Sequence, residues 1–232
     1  MHAADFFAIC AFFVIFILTP SISDDIMETK IAQRMFLDIR GKEKGMPPKF
    51  KFSREEVVKA ALDILREGGS DSVTARAVGE KLGASSKVIF GLFKNMEELR
   101  NEVMKAGYGL YYNYLKEDME KNVYPQYKAS GMAYIRFAKE ERELFKFLFM
   151  RDRSKENYVE NWADIDDIVS IIQKNLGLDR EDSRMFHVEM WIFVHGIAVM
   201  LVTSYSNWSE ENISDLLSIA YDGIKRHYTD KK

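Results

Sequence analysis

Cys10 is the only cysteine among 232 residues, so the chain has no means to build a disulfide framework, a cysteine-rich zinc module or a Cys-x-x-Cys redox centre. Proline is almost as scarce, at 4, and glycine reaches only 13, which excludes collagen-like and low-complexity architectures. Apolar and polar residues nowhere alternate with a sustained period of two, so the signal for strands is missing. There is no Gly-rich phosphate loop, no Gly-x-Ser-x-Gly elbow and no His-Glu-x-x-His pair. The four histidines (His2, His187, His195 and His227) form no nucleophile–base constellation. No enzymatic activity, metal or cofactor is expected of such a chain.

What the chain does have is a 47% apolar share, enough for a sizeable core, balanced by 30% charged residues. The net charge of −3 hides an asymmetry. Residues 46–95 hold nine Lys and Arg against six acids, whereas residues 96–232 hold nineteen against twenty-four. A small basic block ahead of a larger acidic one suggests that the first faces an anionic partner. The lone cysteine fits a reducing, cytoplasmic location.

Residues 1–45 read differently from the rest. Phe6 to Leu18 is an unbroken apolar run of thirteen residues, shorter than the roughly 20 a spanning helix needs. No Lys or Arg precedes it and no Ala-x-Ala-like site follows, so it makes a poor secretory signal. Three readings fit: a membrane-contacting helix, a helix packed on the protein itself, or an extension upstream of a natural start at Met46. We take the third, and expect no membrane partner.

From Met46 onward helical periodicity dominates. Ser53-Arg54-Glu55-Glu56 forms a capping box, and Val57, Ala60, Ala61, Ile64 and Leu65 behind it mark one buried stripe. Gly68-Gly69 ends that helix. Thr74 is expected to cap a second helix through about Leu82, and Ser85 a third, short one through about Phe93. Asn95 is expected to cap a fourth that runs to about Asn122. Further helices are predicted over about 126–140, 142–152, 156–176, 180–206 and 209–228. The expected fold is all-α: an N-terminal three-helix helix-turn-helix head over 46–95, plus a larger helical bundle over 96–232, to which the family resemblance given below assigns ligand binding and dimerisation.

The stretch from Thr74 to Phe90 carries the function. Two short helices meet at a corner that Gly83 permits, held together by Ala77, Val78, Leu82 and Ile89. In a helix-turn-helix the second helix enters the major groove of DNA, led by its N-terminal residues. Here those residues are Ser85, Ser86 and Lys87, hydroxyl and basic groups able to meet base edges or phosphates.

Residues 53–104 resemble the DNA-binding head of the TetR family of transcriptional regulators. The resemblance rests on Ala60-Ala61-Leu62, Gly68-Gly69, Thr74-x-Arg76, Gly83-Ala84-Ser85, Ile89-Phe90, Phe93 and Glu97-Glu98-Leu99. The later chain resembles members whose ligand domain carries a Trp-His-Gly signature, through Trp191, His195 and Gly196. Tyr134-Ile135-x-Phe137-Ala138 and Glu143-Leu144-Phe145 precede that signature. The resemblance implies a ligand-responsive repressor, a homodimer on a palindromic stretch of double-stranded DNA. It points to DNA contacts from Thr74, Arg76, Ala84, Ser85, Ser86, Lys87, Phe90 and Lys94; Lys49 and Lys51 on the preceding arm are candidate replacements for the phosphate donors that this sequence lacks. The sequence also departs from the family pattern. Phe90 stands where a Tyr is usual, Leu92 where a His is, Met96 where a Lys is, and Val88 where a hydroxyl residue is common. Gly91 adds about 1 kcal/mol of helix cost relative to Ala. Weaker or differently balanced backbone contacts are therefore expected. A helical small-molecule-binding or interaction protein that has lost DNA binding remains the alternative.

Aromatic residues crowd the body, and the resemblance implies a small apolar or aromatic effector held among them. Tyr108, Tyr134, Phe137, Phe149, Trp162, Trp191 and His195 are the candidate lining. Ordinary core packing explains such rings as well. The last two helices carry apolar stripes suited to an isologous four-helix interface, for which Val188, Ile192, Val199, Ile213, Leu217 and Ile224 are the candidates.

Overall fold

Ser53 opens the first helix with a reciprocal cap: its hydroxyl accepts from the Glu56 amide at 3.1 Å, and its amide donates to the Glu56 carboxylate at 2.7 Å. The computed structural model describes residues 52–154 and 166–230. The apolar leader, Lys49, Lys51 and Trp162 lie outside those residues. Nine helices are described: α1 (Arg54–Gly68), α2 (Ala75–Lys81), α3 (Lys87–Leu92), α4 (Met96–Glu120), α5 (Gln126–Glu140), α6 (Arg142–Phe149), α7 (Asp166–Leu176), α8 (Arg180–Val202) and α9 (Glu210–Thr229). A 3-10 turn at Ser70–Ser72 links α1 to α2. The described residues contain no strand, and the fold is all-α.

Most helices start where the sequence supplies a cap. Thr74 accepts from the Ala77 amide at 3.1 Å, Asn95 from Glu98 at 2.9 Å, Asp179 from Asp182 at 2.8 Å and Ser209 from Asn212 at 3.2 Å. Each such bond is worth about 1 kcal/mol. α5 and α6 start without a side-chain cap, at Pro125 and Glu141, and the third helix departs from its expected cap. It begins at Lys87 with Ser86, not Ser85, at the cap position, and the Ser86 hydroxyl makes no capping bond. The reason lies in the preceding turn, whose backbone bonds set the path of the chain: Val88 donates to the Ser85 carbonyl and Ile89 to that of Ser86. Helix α8 also stops earlier than its apolar pattern suggests. The amides of Tyr205 and Ser206 both turn back onto the Met200 carbonyl, and Ser204 adopts a positive φ of 58°.

α1, α2, α3 and the first turns of α4 enclose a small core of Val57, Ala61, Leu65, Val78, Ile89, Phe93 and Leu99, all buried. α4, 25 residues long, continues from this head into the body. There α5 is the central helix, with a run from Ala129 to Ile135 buried on every side and with α4, α6, α8 and α9 packed around it. α8 is long and apolar enough to cross a membrane by length and composition. More than half of that apolar window is buried against the other helices, which accounts for its character.

Candidate nucleic-acid interface

The corner between α2 and α3 is closed by two backbone bonds. Gly83 donates to Glu80 at 3.0 Å and Ala84 to Gly79 at 2.9 Å, the pair that defines a Schellman ending. Gly83 sits in the left-handed region at φ 64°. Gly79, which the sequence reading passed over, matters as much. A Cβ there would lie 2.9 Å from the Ala84 carbonyl oxygen and 3.0 Å from the Ser86 amide. Its only signal was a glycine inside an otherwise helical pattern.

α3 buries Ile89 inward, with Phe93 at its end, and turns Lys87, Phe90 and Gly91 outward. Phe90 is 54% exposed. Ser85 and Lys94 are exposed at the two ends, and Ala84 and Ser86 are half-buried. α3 is held in place from behind by Arg54. Its guanidinium lies 4.1 Å from the centre of the Phe93 ring and donates to the Leu92 carbonyl and, at 2.8 Å, to Glu98. Glu98 also accepts from the Lys94 amide at 2.7 Å. That backbone bond first, and Arg54 second, hold the Glu98 carboxyl below the usual carboxylate value. One glutamate thereby ties α1, the end of α3 and the start of α4 together.

The remaining candidates surround this face. Thr74 is exposed, and while its oxygen caps α2 its proton is still available to a phosphate. Arg76 is 87% exposed and pairs with Glu80 at 2.8 Å, a solvent-screened contact worth little and readily exchanged. Arg54, Arg66 and Lys81 are committed to Glu98, Glu141 and Glu67. Lys87 and Lys94 carry no such pair among the described residues. Leu92 and Met96, where the family pattern has polar donors, instead pack half-buried against the core.

The head is a three-helix helix-turn-helix domain. Residues 57–103 match the family model described as bacterial regulatory proteins, tetR family. The match runs from Val57 on α1 to Val103 on α4, covering the whole corner and none of the helices beyond α4. No curated protein matches the chain.

In the body the structure brings six of the seven candidate effector residues into one aromatic cluster; Trp162, outside the described residues, is the seventh. Tyr134 and His195 share a hydrogen bond of 2.9 Å between hydroxyl and Nδ1. His195 stacks on Trp191 at 4.8 Å and 15°. Phe149 lies 5.0 Å from Tyr134, 5.9 Å from Tyr108 and 6.3 Å from Phe137. Burial, with a smaller contribution from Arg153, pushes the His195 imidazole down to about 4. Two residues not assigned to the site belong to the cluster: Phe145, stacked on His195 at 6.0 Å, and Tyr111, 5.8 Å from Tyr134. Tyr111 is wholly buried and its hydroxyl meets no hydrogen-bond partner among the described residues. His187, about two turns earlier on α8, bonds to Tyr127 at 3.1 Å instead. The described residues contain no cluster of three or more metal-ligating side chains.

The interface candidates divide. Val188, Ile213 and Leu217 are 2–3% exposed and belong to the protomer's own core, so a second copy has nothing of them to cover. Their stripes face α5 and each other's helix. Val199 and Ile224 are half-buried. Ile192 is 46% exposed, and the residues that accompany it outside are Phe193 on α8 and Ile219 on α9, at 44% and 68%.

Proposed function

We propose that this chain is a ligand-responsive, DNA-binding transcriptional regulator, a repressor acting as a cytoplasmic homodimer on a palindromic operator. The observation that carries the reading is the helix-turn-helix at 74–93, matched over 57–103 to a family of bacterial regulators, with the outward side of α3 exposed among the described residues. In this reading 46–95 is the DNA-binding domain and 96–232 the ligand-binding and dimerisation domain. Lys87, Ser85 and Ser86 lie towards bases, while Thr74, Arg76 and Lys94 meet phosphates.

One head reads too few base pairs for a specific site, so a pair of heads is required. On the last two helices Ile192, Phe193 and Ile219 leave apolar area exposed, which a second copy could cover. The effector reading rests on the aromatic cluster of Tyr134, Trp191 and His195, the last of these belonging to the Trp-His-Gly resemblance. The unpartnered Tyr111 hydroxyl supports it, because a small apolar or aromatic molecule with one polar group would satisfy it. The cluster touches α4 and α6, and both helices pack on α1, so an occupant there biases the placement of the heads.

The test is a titration of labelled duplex at several sodium chloride concentrations. A regulator gives log K falling linearly with log salt, with a slope of about −0.9 for each phosphate neutralised, and one preferred sequence. No binding at low salt leaves the alternative, a helical ligand-binding protein without a DNA partner.

A further inference from the structure

Phe90 is the one large apolar side chain on the outward side of α3, 54% exposed between Lys87, one turn earlier, and Gly91. The head does not need it there. Ile89 and Phe93, at 0% and 2% exposed, supply what α3 contributes to the core. A ring of this size is normally buried for a gain of about 1.5–3 kcal/mol, so leaving it in water on a functional face points to a partner that covers it. Arg54 holds the helix from behind by bonds to Leu92 and Glu98 and by its contact with Phe93, which fixes the direction in which α3 faces outward. Gly91 beside the ring contributes no side chain, so nothing from that position shields it.

The chemistry of the ring limits what it can recognise. Phenylalanine has no hydrogen-bonding group, so neither a phosphate oxygen nor the donors and acceptors of the base edges are satisfied by it. The floor of the major groove offers one apolar group, the 5-methyl of thymine. A helix about 10–12 Å across fits a groove about 12 Å wide, so outward side chains of α3 come within reach of base edges as well as the flanking backbone, and the thymine methyl is the one group there that a bare ring matches. We propose that Phe90 is a specificity-determining residue that selects thymine in each half-site through contact with its 5-methyl group. This rests on the DNA-binding reading above and adds to it the base that α3 requires.

The experiment begins with selection of duplexes from a randomised pool by the full chain, followed by replacement of each thymine in the selected half-site with deoxyuridine, which removes only the methyl. The wild-type chain is expected to lose about fourfold in affinity per half-site at one thymine, the fold-change equivalent to ~0.8 kcal/mol for one buried methyl-sized group. Phe90→Ala is expected to bind the thymine duplex as weakly as the wild type binds the uracil one, and to be indifferent to the replacement. Because Phe90 is exposed, its thermal midpoint should match the wild type, and Phe90→Leu should retain part of the thymine preference. The assignment is overturned if the wild type binds both duplexes equally. It is overturned too if Phe90→Ala pays the same uracil penalty, or if the selected half-site contains no thymine. Failure to select any duplex removes the DNA-binding reading itself, a result distinct from these three.

Discussion

Arg66, in the last turn of α1, grips Glu141 at the junction of α5 and α6 with two hydrogen bonds, Nε to Oε2 at 2.7 Å and NH2 to Oε1 at 2.5 Å. The bidentate geometry joins head to body across 75 positions of sequence. Glu141 is 8% exposed and Arg66 41%, so the carboxylate is the partner that suffers when the pair is broken. Arg66→Ala leaves that carboxylate with little water in compensation. A loss of about 1–3 kcal/mol is expected in chemical denaturation, the lower end applying to the extent that solvent reaches the site. Glu141→Gln keeps the shape and should cost less. In the proposed regulator both variants also weaken the response of DNA affinity to effector. Equal stability of Arg66→Ala and wild type would show that the pair contributes nothing.

At the corner of the head, Gly79→Ala and Gly83→Ala should fail for different reasons. A methyl at Gly79 would press on the Ala84 carbonyl and the Ser86 amide, both backbone and neither able to move without opening the turn. Overpacking of this kind costs typically about 1–3 kcal/mol and displaces α3. Gly83 has open space around it but φ of 64°, so alanine there pays only about 1–2 kcal/mol of left-handed strain and asparagine less. Thermal midpoints should order wild type above Gly83→Asn, then Gly83→Ala, with Gly79→Ala losing the near-native environment of α3 altogether.

Tyr111 and Tyr134 are neighbours in the same cluster with opposite expectations. Tyr111→Phe removes a buried hydroxyl that has no hydrogen-bond partner among the described residues, so the free chain should be as stable as wild type or more so. Tyr134→Phe breaks the 2.9 Å bond to His195 and should destabilise by about 1 kcal/mol. Midpoints shifted in the reverse order would place the polar demand of the cluster on the wrong residue.

Acid should weaken the fold through two imidazoles. His187 and His195 are both pushed from 6.5 to about 4 by burial. Their native-state pKa values are depressed, so the unfolded chain binds protons first as pH falls. The stability tied to their neutral forms is therefore present above about pH 6.5 and lost progressively towards pH 4. Each contributes a slope of at most about 1.36 kcal/mol per pH unit in that window. Urea midpoints measured from pH 7.5 to 4.5 should fall below pH 6.5, and less steeply in His187→Gln. A flat profile through that window would contradict the burial of both rings.

The sequence disclosed its helices unevenly, for identifiable reasons. Ser53, Thr74 and Asn95 are polar residues directly ahead of apolar periodicity, and each proved to cap its helix. Ser85 and Ser86 are adjacent hydroxyls, and the start there is set by the backbone bonds of Val88 to Ser85 and Ile89 to Ser86, which no single residue announces. Val188, Ile213 and Leu217 show why a stripe on the last helices misled. Periodicity tells which side of a helix is buried but not whether α5 or a second copy covers it. Tyr111 was as legible a ring-bearing position as Tyr134 and Trp191, but its place in the cluster showed only once packing enclosed its hydroxyl. The Arg66–Glu141 pair had no local signal at all, since neither residue is unusual in its own segment.

The central claim is that α3 lies against bases, displayed twice by a symmetric pair. Methylation interference on the selected duplex tests it most directly, because major-groove guanine methylation blocks an occupying helix. The account predicts two interfering clusters on one face of the duplex, their centres about 34–36 Å apart, both lost with Lys87→Ala. A single cluster, spacing off the helical repeat, or binding indifferent to guanine methylation would contradict it.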